Sequence, residues 1–168
     1  MSEGKWLNGY SGQTTDELLR LDGPYRTESI VLAFEQAIDL KAYHRGSGSV
    51  SAEEQVLLAV EALEREVNNG GYSQFFLNSS KEYAPIVVDA LNRIGCGDAA
   101  LLTQRAIEAL GIGGPMTVEA IDLAMERDNG ERDAKLQECD ERYYGVVGCL
   151  AAPLLEFVRR NRDKFVIG

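Results

Sequence analysis

Two stretches of this chain combine residue types and spacings that can do chemistry. The first is NNGGYSQFFLNSS, from Asn68 to Ser80, which puts two glycines, three asparagines, a glutamine and three aromatics into thirteen positions. If Asn68, Gln74 and Asn78 converge, with Tyr72 beside them, their side chains can donate to and accept from a small polar ligand. The same residues also read as a corner. Asn68, Asn69, Gly70 and Gly71 then end a helix, because glycine takes positive φ without a Cβ clash. Tyr72, Phe75 and Phe76 begin a short aromatic turn that plugs the core, and Asn78, Ser79 and Ser80 cap the helix beyond.

The second stretch is acidic. Glu119, Asp122 and Glu126 recur at steps of three and four, and Asp128, Glu131, Asp133, Glu138, Asp140 and Glu141 follow. Carboxylates held in a row can stand in for phosphates and meet arginine or lysine on a partner. Duplex DNA carries about one charge per 3.4 Å along each strand, whereas carboxylates three or four residues apart on a helix rise by about 4.5 to 6 Å. One helix is therefore too sparse, and two adjoining acidic helices or a symmetric homodimer are needed to approach duplex density. The alternative is a solvated face laced by pairs such as Glu131 with Lys135.

Other chemistry finds little support. His44 is the sole histidine, which excludes a multi-histidine metal site; its place before a flexible loop suits a helix C-terminal cap. NNGGYSQ lacks the preceding strand and the Gly-Lys of a phosphate-binding loop. Cys96, Cys139 and Cys149 are odd in number and form no CxxC pair, so they read as small apolar residues in a reducing compartment. Paired carboxylates abound without anything to mark a buried general acid. No catalytic residue, metal or cofactor is expected.

The formal charge is −10, from 27 acids and 17 bases over 168 residues. Such a field repels nucleic acid and anionic lipid and attracts basic partners. Eleven acids against four bases fall between Gly97 and Glu141, while Arg142 to Gly168 holds two acids and five bases. The basic end, Arg159, Arg160, Arg162 and Lys164, suits a helix C-terminus, where cations are favoured. The start, MSEGKWLNGYSG, has no basic region followed by an apolar run, and no stretch approaches the roughly 20 apolar residues of a membrane span. A cytoplasmic protein without membrane contact is expected.

The elements that position these residues are helical. Thr14 to Asp22 can form a short helix closed by Gly23-Pro24, and Ile30, Phe34, Ala37 and Ile38 form a stripe at helical spacing. Ser51 and Glu54 fit a capping box ahead of Val56, Val60, Leu63 and Val67. Further helices follow. Pro85 lies in the first turn of one that stops at Gly95, Asp98 caps one ending at Gly111, and Thr117 caps one with Val118, Ile121 and Met125 inside. Glu131 to Tyr144 and Pro153 to Lys164 complete the set. No segment shows sustained period-two alternation. The prediction is an all-α chain: residues 1–25 as an N-terminal extension and residues 26–168 as one compact bundle of six to eight mostly antiparallel or orthogonal helices.

At EREVNNGGYSQFFLNSS the chain resembles a bacterial domain family that includes an acidic DNA-mimic protein. The hallmark of that family is a glutamate-rich helix end, an Asn-Gly-Gly-aromatic turn, Gln before two aromatics, then Asn-Ser, and it is matched from Glu64 to Ser80 without a gap. Weaker similarity runs from about Thr27 to the end, including Arg142-Tyr143-Tyr144. The resemblance implies an all-helical fold and a non-enzymatic role, imitating DNA's charge to occupy a transcription factor's DNA-binding surface. The motif is not itself the mimicking surface. A basic, DNA-binding protein is thus the expected partner, met by Glu119, Asp122, Glu126, Asp128, Glu131, Asp133, Glu138 and Glu141. Two other readings stand beside it: a small-ligand binder or enzyme at the Asn-Gly-Gly turn, and an inhibitor or immunity-type protein with mainly apolar contacts.

Overall fold

A computed structural model describes residues 4–168 of the chain. Among them are eight α-helices and no strand: α1 (Thr15–Leu19), α2 (Thr27–Arg45), α3 (Ala52–Leu77), α4 (Ala84–Arg93), α5 (Gly97–Ala109), α6 (Val118–Glu126), α7 (Gly130–Val146) and α8 (Ala151–Arg160). Short 3-10 turns lie at Ser47–Ser49, Ser79–Tyr83 and Arg162–Lys164. The chain is all-α. It divides into two units, one of residues up to Leu58 with Cys149–Gly168, the other of Ala59–Gly148.

The first unit is built on α2, whose Ile30, Val31, Phe34 and Ile38 are fully buried. It packs with α8, which contributes Leu154, Leu155, Phe157 and Val158. Phe165 meets Phe34 and Phe157 edge-on at centroid distances of 6.0 and 6.3 Å, a favoured aromatic geometry. The segment ahead of α1 is tied down, with the Leu7 amide on Ser29 Oγ (3.0 Å) and the Tyr10 amide on Gln36 Oε1 (2.8 Å). Thr14 forms a capping box with Glu17 at the start of α1.

The box at the start of α3 forms as its sequence predicts: Glu54 donates its amide to Ser51 Oγ (3.0 Å), and the Glu54 carboxylate accepts from the Ser51 amide (2.9 Å). It also does more. The fully buried Glu54 carboxylate accepts from Lys41 Nζ at 2.6 Å on both oxygens and from the Val166 amide at 3.0 Å. Lys41 in turn donates to the Val166 carbonyl at 2.9 Å. A buried pair of this kind is tolerable because each charge has several partners.

The second unit is the remainder of α3 with α4, α5, α6 and α7; α5 packs on both α4 and α7. Its core includes Val60, Leu63, Val67, Leu91, Leu102, Ile121, Leu136 and Tyr143, all buried. The stops at Gly95 and Gly111 fall where predicted, and Thr117 Oγ1 accepts from the Ala120 amide at 3.1 Å. Other local expectations need correcting. The residue ahead of α5 is Cys96, with no side-chain cap, and Asp98 lies inside the first turn, where it opposes the helix dipole. Pro153 is the third residue of α8, which ends at Arg160 before the 3-10 turn at Arg162–Lys164. No helix among the described residues is long and apolar enough to cross a membrane.

Removing the Glu54 carboxylate strands a buried ammonium and two backbone amides. Glu54→Ala should therefore cost about 3 kcal/mol, read as a lowered urea midpoint at unchanged slope.

Candidate functional site

The glycine turn breaks a helix in two. α3 runs to Asn69, departs from helical geometry at Gly70 (φ −158°, ψ 18°) and Gly71 (φ 79°, ψ −176°), and resumes at Tyr72. The backbone of Gly71 lies in a region essentially closed to residues with a Cβ. The new helix start leaves unpaired amides, and Asp140 of α7 takes one: its Oδ1 accepts from the Tyr72 N–H at 2.7 Å. The approach is close. A Cβ added to Gly71 would lie 2.7 Å from Asp140 Cγ and 2.9 Å from its Oδ1.

Further contacts fix α7 to this turn. The Tyr144 hydroxyl donates to the Val67 carbonyl, and the Tyr72 hydroxyl pairs with Thr103 Oγ1 of α5 at 2.9 Å. Tyr72 and Tyr143 meet edge-on at 6.0 Å. Phe75 and Phe76 are fully buried, as a core plug requires. Burial pushes the Asp140 carboxyl above its ordinary range; the Tyr72 amide works against that rise and neighbouring Glu141 adds to it. Burial also raises the hydroxyls of Tyr72 and Tyr143. The Tyr143 hydroxyl is buried without a hydrogen-bond partner.

A second cluster stitches the two sides of the break. Glu66, before it, accepts from Gln74 Nε2 and Asn78 Nδ2 on Oε2 and from Ser80 Oγ on Oε1, each at 2.9 Å. Burial works to raise this carboxyl, but the three hydrogen bonds, with Arg65 nearby, hold it below its ordinary value. Gln74 and Asn78 thus do converge, and their donors are taken by a carboxylate of the same chain. Asn68 and Asn69 are exposed and stand outside the cluster. Asn78 and Ser80, expected to cap the next helix, serve Glu66 instead; the 3-10 turn after Asn78 has no side-chain cap. Sequence assigned neither Glu66 nor Asp140 to the turn, and counted Asp140 only as part of the acidic stretch. Glu66 meets its donors only after the chain reverses, and Asp140 lies 68 residues beyond Tyr72.

The acidic residues separate into two groups. Asp122 turns from the expected row to pair with Lys81 of the 3-10 turn at Ser79–Tyr83. Glu131 pairs with Lys135 (3.0 Å), as predicted, Glu138 with Arg142 (2.8 Å) and Asp133 with Arg132 (2.7 Å). Lys135 is also the largest influence lowering the Glu131 carboxyl. Glu119, Glu126, Asp128 and Glu141 are exposed, with no cation within ion-pair distance among the described residues, although Glu141 accepts from Gln137 at 3.3 Å. The second unit as a whole holds sixteen acids and eight bases, −8 of the chain's −10.

One cation organises the acidic face from within. Arg132 of α7 is 6% exposed; its guanidinium donates to the Ala124 carbonyl (2.5 Å) and the Arg127 carbonyl (2.9 Å) at the C-terminal end of α6, where positive charge is favoured. Asn129 accepts from the Arg132 amide at 3.0 Å and starts α7. Of the expected α6 stripe, Ile121 is fully buried, Met125 half-buried and Val118 38% exposed; Leu123, outside that stripe, is 58% exposed.

The sequence model of the DMP19-like protein family matches residues 48–161. No curated protein and no solved structure matches the chain. The matched span takes in the glycine turn, the Glu66 cluster and all eight acidic residues.

Gly71→Ala should destabilise by about 2 to 4 kcal/mol through backbone strain and loss of the Asp140 approach. In a double-mutant cycle by urea denaturation, Asp140→Ala should cost less in that background than alone. Glu66, with its carboxyl lowered in the fold, stabilises above the ordinary glutamate value of 4.5 and loses that contribution as pH falls through the folded value. The difference in thermal midpoint between the unsubstituted chain and Glu66→Gln should accordingly shrink as pH falls from about 6 to about 3.

Proposed function

The chain belongs to the DMP19-like protein family, and on that premise we propose that its second unit is a non-enzymatic binding surface for a basic protein, acting as a DNA mimic. The carboxylates occupy the place of phosphates and compete for the arginines and lysines of a DNA-binding surface. The observation that carries this reading is the charge distribution: −8 in one unit, with Glu119, Glu126 and Asp128 exposed and unpaired between and beside the ends of α6 and α7.

Pairing narrows the expected face. Glu131 and Glu138 each have an exposed cation beside them, in pairs that exchange at little cost, whereas Asp133 pairs with the buried Arg132. Glu131 and Glu138 can therefore exchange these cations for those of a binding protein. Asp122 and Asp133 are the least available, since the Lys81 and Arg132 side chains opposite them are largely covered. Glu119 and Glu126, seven residues apart, are separated by about 10.5 Å along the axis, which spans about three phosphate intervals on one strand. α6 alone therefore mimics a polyanion only coarsely, and α7 must contribute.

The test is capture from a native lysate at low and high salt. The triple variant Glu119→Lys, Glu126→Lys, Asp128→Lys should lose the captured protein, with the helical circular dichroism unchanged, and capture by the unsubstituted chain should fall at least tenfold between about 0.05 and about 0.5 M salt. Salt-insensitive capture that survives the triple reversal would sink the reading.

A further inference from the structure

The unpaired carboxylates of α6 do not stand alone. Leu123, 58% exposed, lies four residues after Glu119 and three before Glu126, so the three share one helix face. A surface that only imitated phosphates would have no use for an apolar side chain in the middle of its acid row. A single exposed leucine is ordinary; its surroundings are what set this one apart. Leu123 borders an open cleft of about 370 Å³ lined on one part by Leu110, Ile112, Ala120 and Ala124 and on another by the polar side chains of Arg127 and Asn129. The cleft lies within the second unit, between α6 and the segment that follows α5.

We infer that this cleft and its flanking carboxylates form one docking site for an amphipathic basic helix of the partner, which seats an apolar side chain against Leu123 while its cations meet Glu119 and Glu126. The inference rests on the proposed binding of a basic protein and specifies the chemistry of that partner. Charge complementarity selects the occupant. Carboxylates at i and i+7 with a leucine at i+4 mirror a helix bearing cations seven residues apart with an apolar residue between them. The aliphatic part of the wall gives nothing to a uniformly basic segment, whereas an apolar side chain seated against it gains by leaving water. The site therefore discriminates among basic proteins, which charge alone does weakly.

The experiment uses the full chain and two synthetic helical peptides of equal charge, with arginines seven residues apart and either leucine or alanine four residues after the first. Affinities are read by fluorescence anisotropy at physiological salt. The leucine peptide should bind about tenfold more tightly. Leu123→Ser, at an exposed position that leaves folding intact, should abolish the preference for the leucine peptide; Glu119→Gln with Glu126→Gln should weaken both. Equal binding of the two peptides, or binding of neither, overturns the inference. If the lysate capture remains salt-sensitive in either case, the acidic-surface reading stands without it. If peptide binding ignores the Glu119 and Glu126 substitutions, the inference falls, and the lysate capture alone decides the acidic-surface reading. A dimer seen in sedimentation and dissolved by Leu123→Ser would assign the cleft to a second copy of the chain and overturn the partner helix.

Discussion

The contact between the Asp140 carboxylate and the Tyr72 amide is what the second unit is arranged around. A helix that stops at a glycine pair and restarts at once leaves amides facing nothing, in a place where Tyr72, Phe75 and Phe76 are being buried. Water cannot reach such donors, and an unpaired buried group costs about 1 to 3 kcal/mol. Asp140 supplies the acceptor from α7, and in doing so fixes where α7 lies against α3. The acceptor must come so close that no side chain fits at Gly71. One requirement therefore explains both the glycine and the position of the acidic helix.

That arrangement has an electrostatic consequence. Burial raises the Asp140 carboxyl, so ionising it near neutrality opposes folding to a degree, while Glu66 does the reverse on the other side of the break. Two carboxylates brace the same turn with opposite linkage to pH. Both are committed inside the turn and contribute nothing to a partner. The acids of α6 and α7 that face solvent are a different population, and Arg132, holding the end of α6 with its carbonyl contacts, keeps those helices in register.

Much of this was legible in sequence where the cause is local. The capping box at Ser51 and Glu54, the Thr117 cap, the glycine stops and the Glu131–Lys135 pair all depend on residues within four positions of one another. The corner at Gly70 and Gly71 was legible for the same reason. What sequence could not supply were partners set by tertiary packing. Lys41 reaches Glu54 across thirteen residues, Lys81 reaches Asp122 across forty-one, and Asp140 reaches Tyr72 across sixty-eight. Spacing alone therefore placed Asp122 in a row with Glu119 and Glu126, although its neighbour in space is a lysine. Likewise Val118 and Ile121 are both apolar at a helical spacing on α6, but only packing decides that Ile121 is buried and Val118 exposed.

On the binding reading, leaving Glu119 and Glu126 unpaired costs the fold little. Two like charges about 10.5 Å apart in water repel by about 0.4 kcal/mol, and physiological salt, with a screening length of about 8 Å, reduces that further. Brought to about 4 Å from a guanidinium at a partly dried interface, each gains about 4 kcal/mol before desolvation is counted. The asymmetry between those two figures is what lets an acidic helix persist in the free protein and still drive association. It also limits what charge can do, because the same gain is open to any cationic surface of similar shape. Selectivity must come from something that salt does not screen, and the aliphatic wall beside Leu123 is a surface feature of that kind.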